Sequence, residues 1–377
     1  MLPRHERRGR EARLRVNPEQ APVRALPGPG LGSPAPALAL PGPGSRGVDF
    51  GRRFAQSVGA VDVLLIRLGG LGDLLVALPS MTYLRRAMPG SRFALLCRGG
   101  YGGLILDAGI ADRVIPLESR EAASLFADAG VPPSGPGLGF SLAVGWMQKP
   151  PPPEMERALR SGRARTVLFV APNSPHPVSL SRRFFTDTGS GFPLPEGIKA
   201  DFDECSQLRS KKGGMAAARA GLRFDLPGGG RFAVLHPGSG GIAKIWPFAN
   251  FLEIGRRLAD AGIPGVFVTG EAEERPAIAG CLEGAAFPHG WTWARRPPLL
   301  GLAGLLAEEP LYLGNDSGIT HLAAACGARV TALFLEENTP AWEPYGRTRV
   351  LAARALSDID AKTVWGALQE NGKILKF

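Results

Sequence analysis

The segment from Leu311 to Ala325 confines this chain to few folds. Leu311-Tyr312-Leu313 has the composition of a buried strand, Gly314-Asn315-Asp316-Ser317-Gly318 is a glycine-bracketed acidic loop, and Ile319 to Ala325 is alanine-rich in the manner of a helix. A strand that gives way to a helix through such a loop is a βα unit, the building block of α/β folds. The loop presents free N–H groups and the positive end of a helix dipole, which suits a diphosphate. Asp316 and Ser317 can cap the helix, and Gly314 and Gly318 let backbone approach a ligand with no Cβ in the way. His321 falls on the first helical turn, facing back toward the loop. Taken alone, the segment equally fits a capped turn with no ligand. Two other loops of matching character lie upstream.

The first follows Val61-Asp62-Val63-Leu64-Leu65-Ile66, a strand buried on both faces by its near-continuous apolar content. The turn Arg67-Leu68-Gly69-Gly70-Leu71-Gly72-Asp73 comes next, then a helix from Leu74 to Ala87, a strand over Arg92 to Cys97, a short helix over Tyr101 to Ala108 and a strand over Arg113 to Leu117. This βαβαβ succession is half of a doubly wound sheet. Beyond Gly130 the pattern weakens. Strands are expected at Phe140 to Val144 and Thr166 to Val170, with a helix over Glu154 to Gly162 between them. Gly189 to Gly197 reads as irregular, Met215 to Ala220 as helical, and Pro227 to Gly230 as an interdomain linker.

The pattern restarts with the strand Phe232 to Leu235 and the loop His236-Pro237-Gly238-Ser239-Gly240-Gly241, followed by a helix from Phe248 to Ala261. A strand over Gly265 to Thr269, a loop over Gly270 to Glu274 and a further helix precede the acidic loop. Val330 to Phe334 is another strand, and Asp358-Ile359-Asp360 introduces a last helix ending near Gly372. The expected organisation is therefore a tail over 1–60, one doubly wound domain over 61–225, a second over 226–377, and a cleft between them.

Charge supports that division. Of the ten net positive charges, six fall in the first sixty residues, where ten arginines stand against four acids. Pro27-Gly28-Pro29-Gly30 and Pro41-Gly42-Pro43-Gly44 sustain neither helix nor sheet. This segment is expected to be a disordered basic extension, or sequence from upstream of the true start; the abrupt beginning of pattern at Val61 favours the second. A body this mildly basic does not point to nucleic acid. The four cysteines have no C-x-x-C spacing and the five histidines no metal-ligand spacing, which fits a reducing cytoplasm and no metal site. No stretch approaches the ~18 apolar residues of a membrane span.

Three positions stand out for chemistry. Asp73 sits at the carboxyl edge of the first strand, where ligands bind in such sheets, and reads as a catalytic base or as a helix cap. Lys244, between a glycine loop and a helix start, reads as a phosphate countercharge or as a solvated lysine. Glu273, with Glu271 and Glu274, is placed to accept from ribose hydroxyls or to line a solvated helix start. Trp246 reads as structural, fixing the entry to its helix.

Ile66 to Asp73 with Leu78-Pro79, His236-Pro237-Gly238-Ser239 with Lys244-Ile245-Trp246-Pro247, and Gly314 to Gly318 with His321-Leu322-Ala323-Ala324 resemble the three signature segments of the heptosyltransferase family, glycosyltransferase family 9, in its order and spacing. Trp342-Glu343-Pro344-Tyr345-Gly346 resembles its closing segment. The resemblance implies a GT-B fold, two Rossmann-like lobes facing across a cleft, with the acceptor on the first and the nucleotide-sugar donor on the second. It implies inverting, metal-independent transfer of heptose from ADP-heptose to a lipopolysaccharide inner-core or related glycan, with no cofactor. The acceptor would be lipid-linked, and the enzyme cytoplasmic, either soluble or peripheral on the cytoplasmic face of the inner membrane. By position, Asp73 matches the general base, and Gly69, Gly70 and Gly72 form the acceptor-side loop. Lys244 matches the phosphate-binding lysine. Ser239, Glu273, Asn315, Asp316, Ser317, Gly318 and His321 join it in the donor site. Met147 to Gly197 departs from the family's regular strand–helix succession on the acceptor side. Two other readings share this architecture, an enzyme resembling the UDP-sugar 2-epimerases and a non-catalytic nucleotide-sugar-binding relative.

Overall fold

A computed structural model of the chain describes residues 61–123, 139–147, 153–161, 166–170, 179–222, 232–270 and 287–372, with single positions at 151, 164, 226 and 283. The expected tail over 1–60, the linker at 227–230 and the loop around Glu273 with its following helix lie outside the described residues.

The first sheet is parallel, in the order β3-β2-β1-β4-β5, built from β1 (Asp62–Ile66), β2 (Arg92–Cys97), β3 (Arg113–Pro116), β4 (Leu142–Trp146) and β5 (Thr166–Val170). The second is also parallel, in the order β11-β10-β9-β6-β7-β8. It comprises β6 (Ala233–His236), β7 (Gly265–Thr269), β8 (Trp291–Arg295), β9 (Leu311–Asn315), β10 (Arg329–Leu335) and β11 (Thr348–Ala353). Read from its own first strand, the second sheet has the dinucleotide-fold order, and the first sheet has that order less one strand. Each sheet reverses direction at its middle, between β1 and β4 and between β6 and β9. Ligand crevices in such sheets open beyond the carboxyl ends of the strands at that reversal. The loops after β1, β6 and β9 are therefore the places to look.

Burial follows the pleat. Val63 and Leu65 face one core layer of the first sheet, while Leu64 and Ile66 face the other. The first of these layers runs on without a break into the second sheet through Val234, Tyr312 and Val330, so the two lobes share one hydrophobic core. The connecting pieces are helices. α1 (Leu71–Ala87), which follows β1, packs against the helix Gly318–Ala325, which follows β9. The short helix α2 (Gly102–Asp107) ends in Asp107. Its carboxylate accepts from the N–H groups of Gly214 (2.7 Å) and Met215 (3.2 Å), capping the helix Gly214–Ala220. That helix in turn packs on Leu299–Leu306 of the second lobe. Among the described residues, no helix is long and apolar enough to cross a membrane.

Several elements differ from the sequence expectation. α1 begins at Leu71 rather than Leu74, because Asp73 is the third residue of the helix and its carboxylate accepts from the N–H of Gly70 at 2.9 Å. Gly189 to Gly191, expected to be irregular, complete a helix from Leu180. Gly189 there lies against the Tyr83 ring, a packing that outweighs glycine's poor helix propensity. β8 and β11 have no counterpart in the sequence pattern. Both are edge strands, and the partial exposure of Thr292, Trp293 and most of β11 weakens the hydrophobic signal.

Candidate active site

The loop after β1 is built around Asp73. Its Oδ2 accepts from Gly70 N–H, and its Oδ1 accepts from Arg67 Nη2 at 2.7 Å. Arg67 also gives Nε to the Asp73 carbonyl (2.7 Å) and Nη1 to the Trp146 carbonyl (2.6 Å). It is buried, whereas the Asp73 side chain is about one-third exposed, at 32%. Burial pulls the Arg67 guanidinium below its ordinary range, against the opposing influence of Asp73. The carboxylate is thus fixed from behind and open in front. Gly69 is required by this arrangement, since a Cβ there would collide with the Asp73 carboxyl carbon. Arg67 was not anticipated as a site residue. The available signal was an arginine at the carboxyl end of an otherwise apolar, buried strand.

The loops after β6 and β9 are stitched together. Ser239 Oγ donates to the Asp316 carbonyl at 2.7 Å. The Asn315 amide, fully buried, donates to the Pro237 carbonyl (2.8 Å) and accepts from Trp246 N–H (3.2 Å). Both side chains therefore bond to the neighbouring loop. Trp246 is buried and donates its indole N–H to the Ile359 carbonyl at 2.8 Å, which anchors the segment carrying Lys244.

Lys244 Nζ lies 2.6 Å from Asp316 Oδ2, and Asn338 Nδ2 reaches the same oxygen at 3.1 Å. Asp316 is an ion-pair partner rather than a helix cap. The cap of the helix Gly318–Ala325 is Ser317, whose Oγ accepts from Thr320 N–H. Helical geometry leaves the first N–H groups, those of Gly318 and Ile319, without a carbonyl one turn back. Lys244 is 35% exposed at its side chain, and an ammonium with three donors can hold Asp316 and still reach a further acceptor.

The two lobes bring these loops into contact. A Cβ on Gly318 would meet Gly72 N and Leu71 Cβ at 2.9 Å each, so only glycine allows this approach. A Cβ on Gly72 would stand 3.4 Å from His321 Cδ2. His321 is buried, its Nδ1 has no hydrogen-bond partner among the described residues, and its ring meets Trp342 edge-on at 6.5 Å between centroids. Asp316, Asp73 and Lys244 each act on its imidazole electrostatically. Among the sequence candidates, Asp73, Lys244, Asp316, Ser317, Gly318 and His321 assemble with Gly69, Gly70 and Gly72. Glu273 lies outside the described residues.

Burial lowers the His321 pKa from 6.5 to about 4, with Asp316 and Asp73 opposing and Lys244 assisting. Between those pH values the unfolded chain binds a proton that the folded chain refuses. The stability that depends on neutral His321 is complete above pH 6.5 and is lost as the pH falls toward 4, by roughly 3 kcal/mol. Replacing His321 with leucine should flatten the fall of unfolding free energy between pH 6.5 and 4, measured by denaturant titration. Parallel curves for the two proteins would contradict this.

Two doubly wound parallel sheets whose glycine loops meet, with a carboxylate on one side and a lysine and helix N-terminus on the other, make a GT-B fold. The family model for glycosyltransferase family 9 (heptosyltransferase) matches residues 159–361, and the chain belongs to that family. It is 27% identical over 318 residues to lipopolysaccharide heptosyltransferase 1 of Pseudomonas aeruginosa, covering 76% of this chain and 82% of the relative. A glycosyltransferase family 9 structure from Veillonella parvula superposes with a TM-score of 0.65 at 15% identity, over 83% of this chain and 98% of the other. The E. coli heptosyltransferase WaaC with ADP gives 0.60 at 20% identity, over 82% and 99%. At these identities the two structures establish the fold.

Proposed function

We propose that this chain transfers heptose from ADP-heptose to a lipopolysaccharide inner-core or related glycan acceptor, with inversion and without a metal ion. The observation that carries the reading is the close approach of the glycine turn that holds Asp73, on the first lobe, to the Asp316–His321 loop, on the second, with Lys244 paired to Asp316 in that loop. A sugar hydroxyl is a poor nucleophile, and a positioned carboxylate that takes its proton is worth ~10²–10⁴ in rate. Arg67 and Gly70 hold that carboxylate in place. The leaving diphosphate gathers negative charge as the glycosidic bond breaks. Lys244 and the N–H groups of Gly318 and Ile319 offset it, the role a divalent ion would otherwise fill. Base and leaving group come from opposite lobes, an arrangement that suits attack on the sugar face opposite the departing diphosphate. Ser239 and Asn315 hold the donor loop in shape.

The relatives, a lipopolysaccharide heptosyltransferase and a heptosyltransferase bound to ADP, support ADP-heptose as the donor. The acceptor in this reading is lipid-linked, at the cytoplasmic face of the inner membrane. The test is ADP release from ADP-heptose, with and without lipopolysaccharide core acceptor, in buffer containing EDTA. We expect release that requires acceptor and is unchanged by chelator. Release of nucleotide with no acceptor, or strict dependence on a divalent ion, would overturn the reading.

A further inference from the structure

Pro79 lies inside α1 and has no N–H, so the Leu75 carbonyl one turn earlier lacks its helical partner. A buried carbonyl left in that state is costly. The structure supplies a donor from the other lobe: the Tyr345 hydroxyl, buried, donates to the Leu75 carbonyl at 2.9 Å. The Tyr345 ring is held as well. It meets Phe202 edge-on at 5.8 Å, Phe202 meets Phe185 at 5.4 Å, and Phe185 meets Tyr83 at 5.3 Å. Tyr83 is itself on α1, so the chain of contacts leaves that helix at Leu75 and returns to it two turns later. Next to Tyr345, Gly346 takes a positive φ of 92°, and a Cβ there would lie 3.2 Å from the Ala324 carbonyl, at the far end of the donor-loop helix.

The helix that carries Asp73 and the helix that carries the donor loop are thus joined twice, at their N-termini through Gly72 and Gly318 and farther along through Tyr345. We propose that Tyr345 is a positioning residue, tying α1 to the second lobe through the carbonyl that Pro79 frees and so setting the distance from Asp73 to the donor loop. This rests on the roles given above to Asp73 and that loop. The tether works through geometry, because Tyr345 reaches neither group.

Tyr345→Phe keeps the aromatic contacts and removes the hydroxyl. It should lower Tm by about 2–6 °C and kcat by about tenfold or more, while the Kd for ADP stays within a few-fold. Adding Pro79→Ala restores an N–H for Leu75 within the helix but cannot restore the link between lobes. In the Tyr345→Phe, Pro79→Ala double variant Tm should recover while kcat remains low. Lobe separation is read independently of activity by pulsed electron spin distance measurement. Labels go at Arg120→Cys and Ser357→Cys, exposed positions on opposite lobes, with Cys281 replaced by serine; Cys97, Cys205 and Cys326 are buried. The distance distribution should broaden in Tyr345→Phe and stay broad in the double variant. An unchanged distribution in Tyr345→Phe, or a double variant in which kcat and distance return together with Tm, would overturn the tether and leave Tyr345 as a partner for one carbonyl. A wild-type chain that releases no ADP from ADP-heptose in the presence of core acceptor would refute the proposed transfer instead, and the distances would still decide the tether.

Discussion

Asp73→Asn is expected to reduce sugar transfer by about 10²–10⁴, the range by which a positioned general base accelerates a reaction. Asparagine keeps the shape of the side chain and an oxygen that can accept from Gly70 N–H, so the start of α1 should survive. What it loses is the ability to take a proton from the acceptor hydroxyl, together with the charge that faces Arg67 at 2.7 Å. ADP binds the other lobe in this account, so its Kd should remain within a few-fold. A loss in kcat with donor affinity intact is the signature of an interaction that matters in the transition state and not in the ground state. The check is steady-state kinetics with the ADP Kd from calorimetry. Near-normal turnover in a folded Asp73→Asn protein would reduce Asp73 to a residue that completes a helix start.

Lys244→Ala should act on both quantities. The ammonium meets the diphosphate in the ground state and meets more charge as the bond to the sugar breaks. ADP affinity should therefore fall, and the rate should fall further, by about 10²–10³. The substitution also leaves the Asp316 carboxylate, 8% exposed, with Asn338 as its remaining side-chain partner among the described residues. Some loss of stability follows, discounted because Lys244 itself is partly in solvent. Lys244→Arg separates the two effects. It restores a cation for Asp316 and hence stability, but an arginine fork is a different shape from a lysine point charge and should recover transfer only in part. Binding and single-turnover rates of the three proteins measure this, and an alanine variant with wild-type kcat would remove Lys244 from the leaving-group chemistry.

The parts of the molecule that were legible in the sequence are those dictated by burial and by special backbone. β1, β6, β9 and β10 are covered on both faces, so each is a near-continuous apolar run, and each loop after β1, β6 and β9 is marked by glycine. Asp73, Lys244, Asp316 and His321 follow from those loops, because side chains beyond the carboxyl ends of central strands converge on the crevice. Edge strands β8 and β11 lack that pattern. The direction in which a polar side chain turns was also hidden. Ser239 and Asn315 have the residue types of ligand contacts, yet their side chains join adjacent loops. Arg67 reads as the first residue of a turn until its guanidinium is seen wrapped around Asp73. Pro79 is named in the sequence only as part of a motif, and the bond from Tyr345 to the carbonyl it frees is visible only once the chain has folded.

The central claim is that one displacement takes place between a base on the first lobe and a leaving diphosphate on the second. The configuration at the transferred sugar's anomeric carbon tests it most directly. With ADP-heptose and a soluble core acceptor in EDTA, the one-bond carbon–proton coupling at that carbon, read by NMR in donor and in product, reports the stereochemistry. The account predicts an inverted linkage formed at the same rate with and without chelator. A retained linkage would contradict it, since backside attack by a base-activated hydroxyl inverts the anomeric carbon.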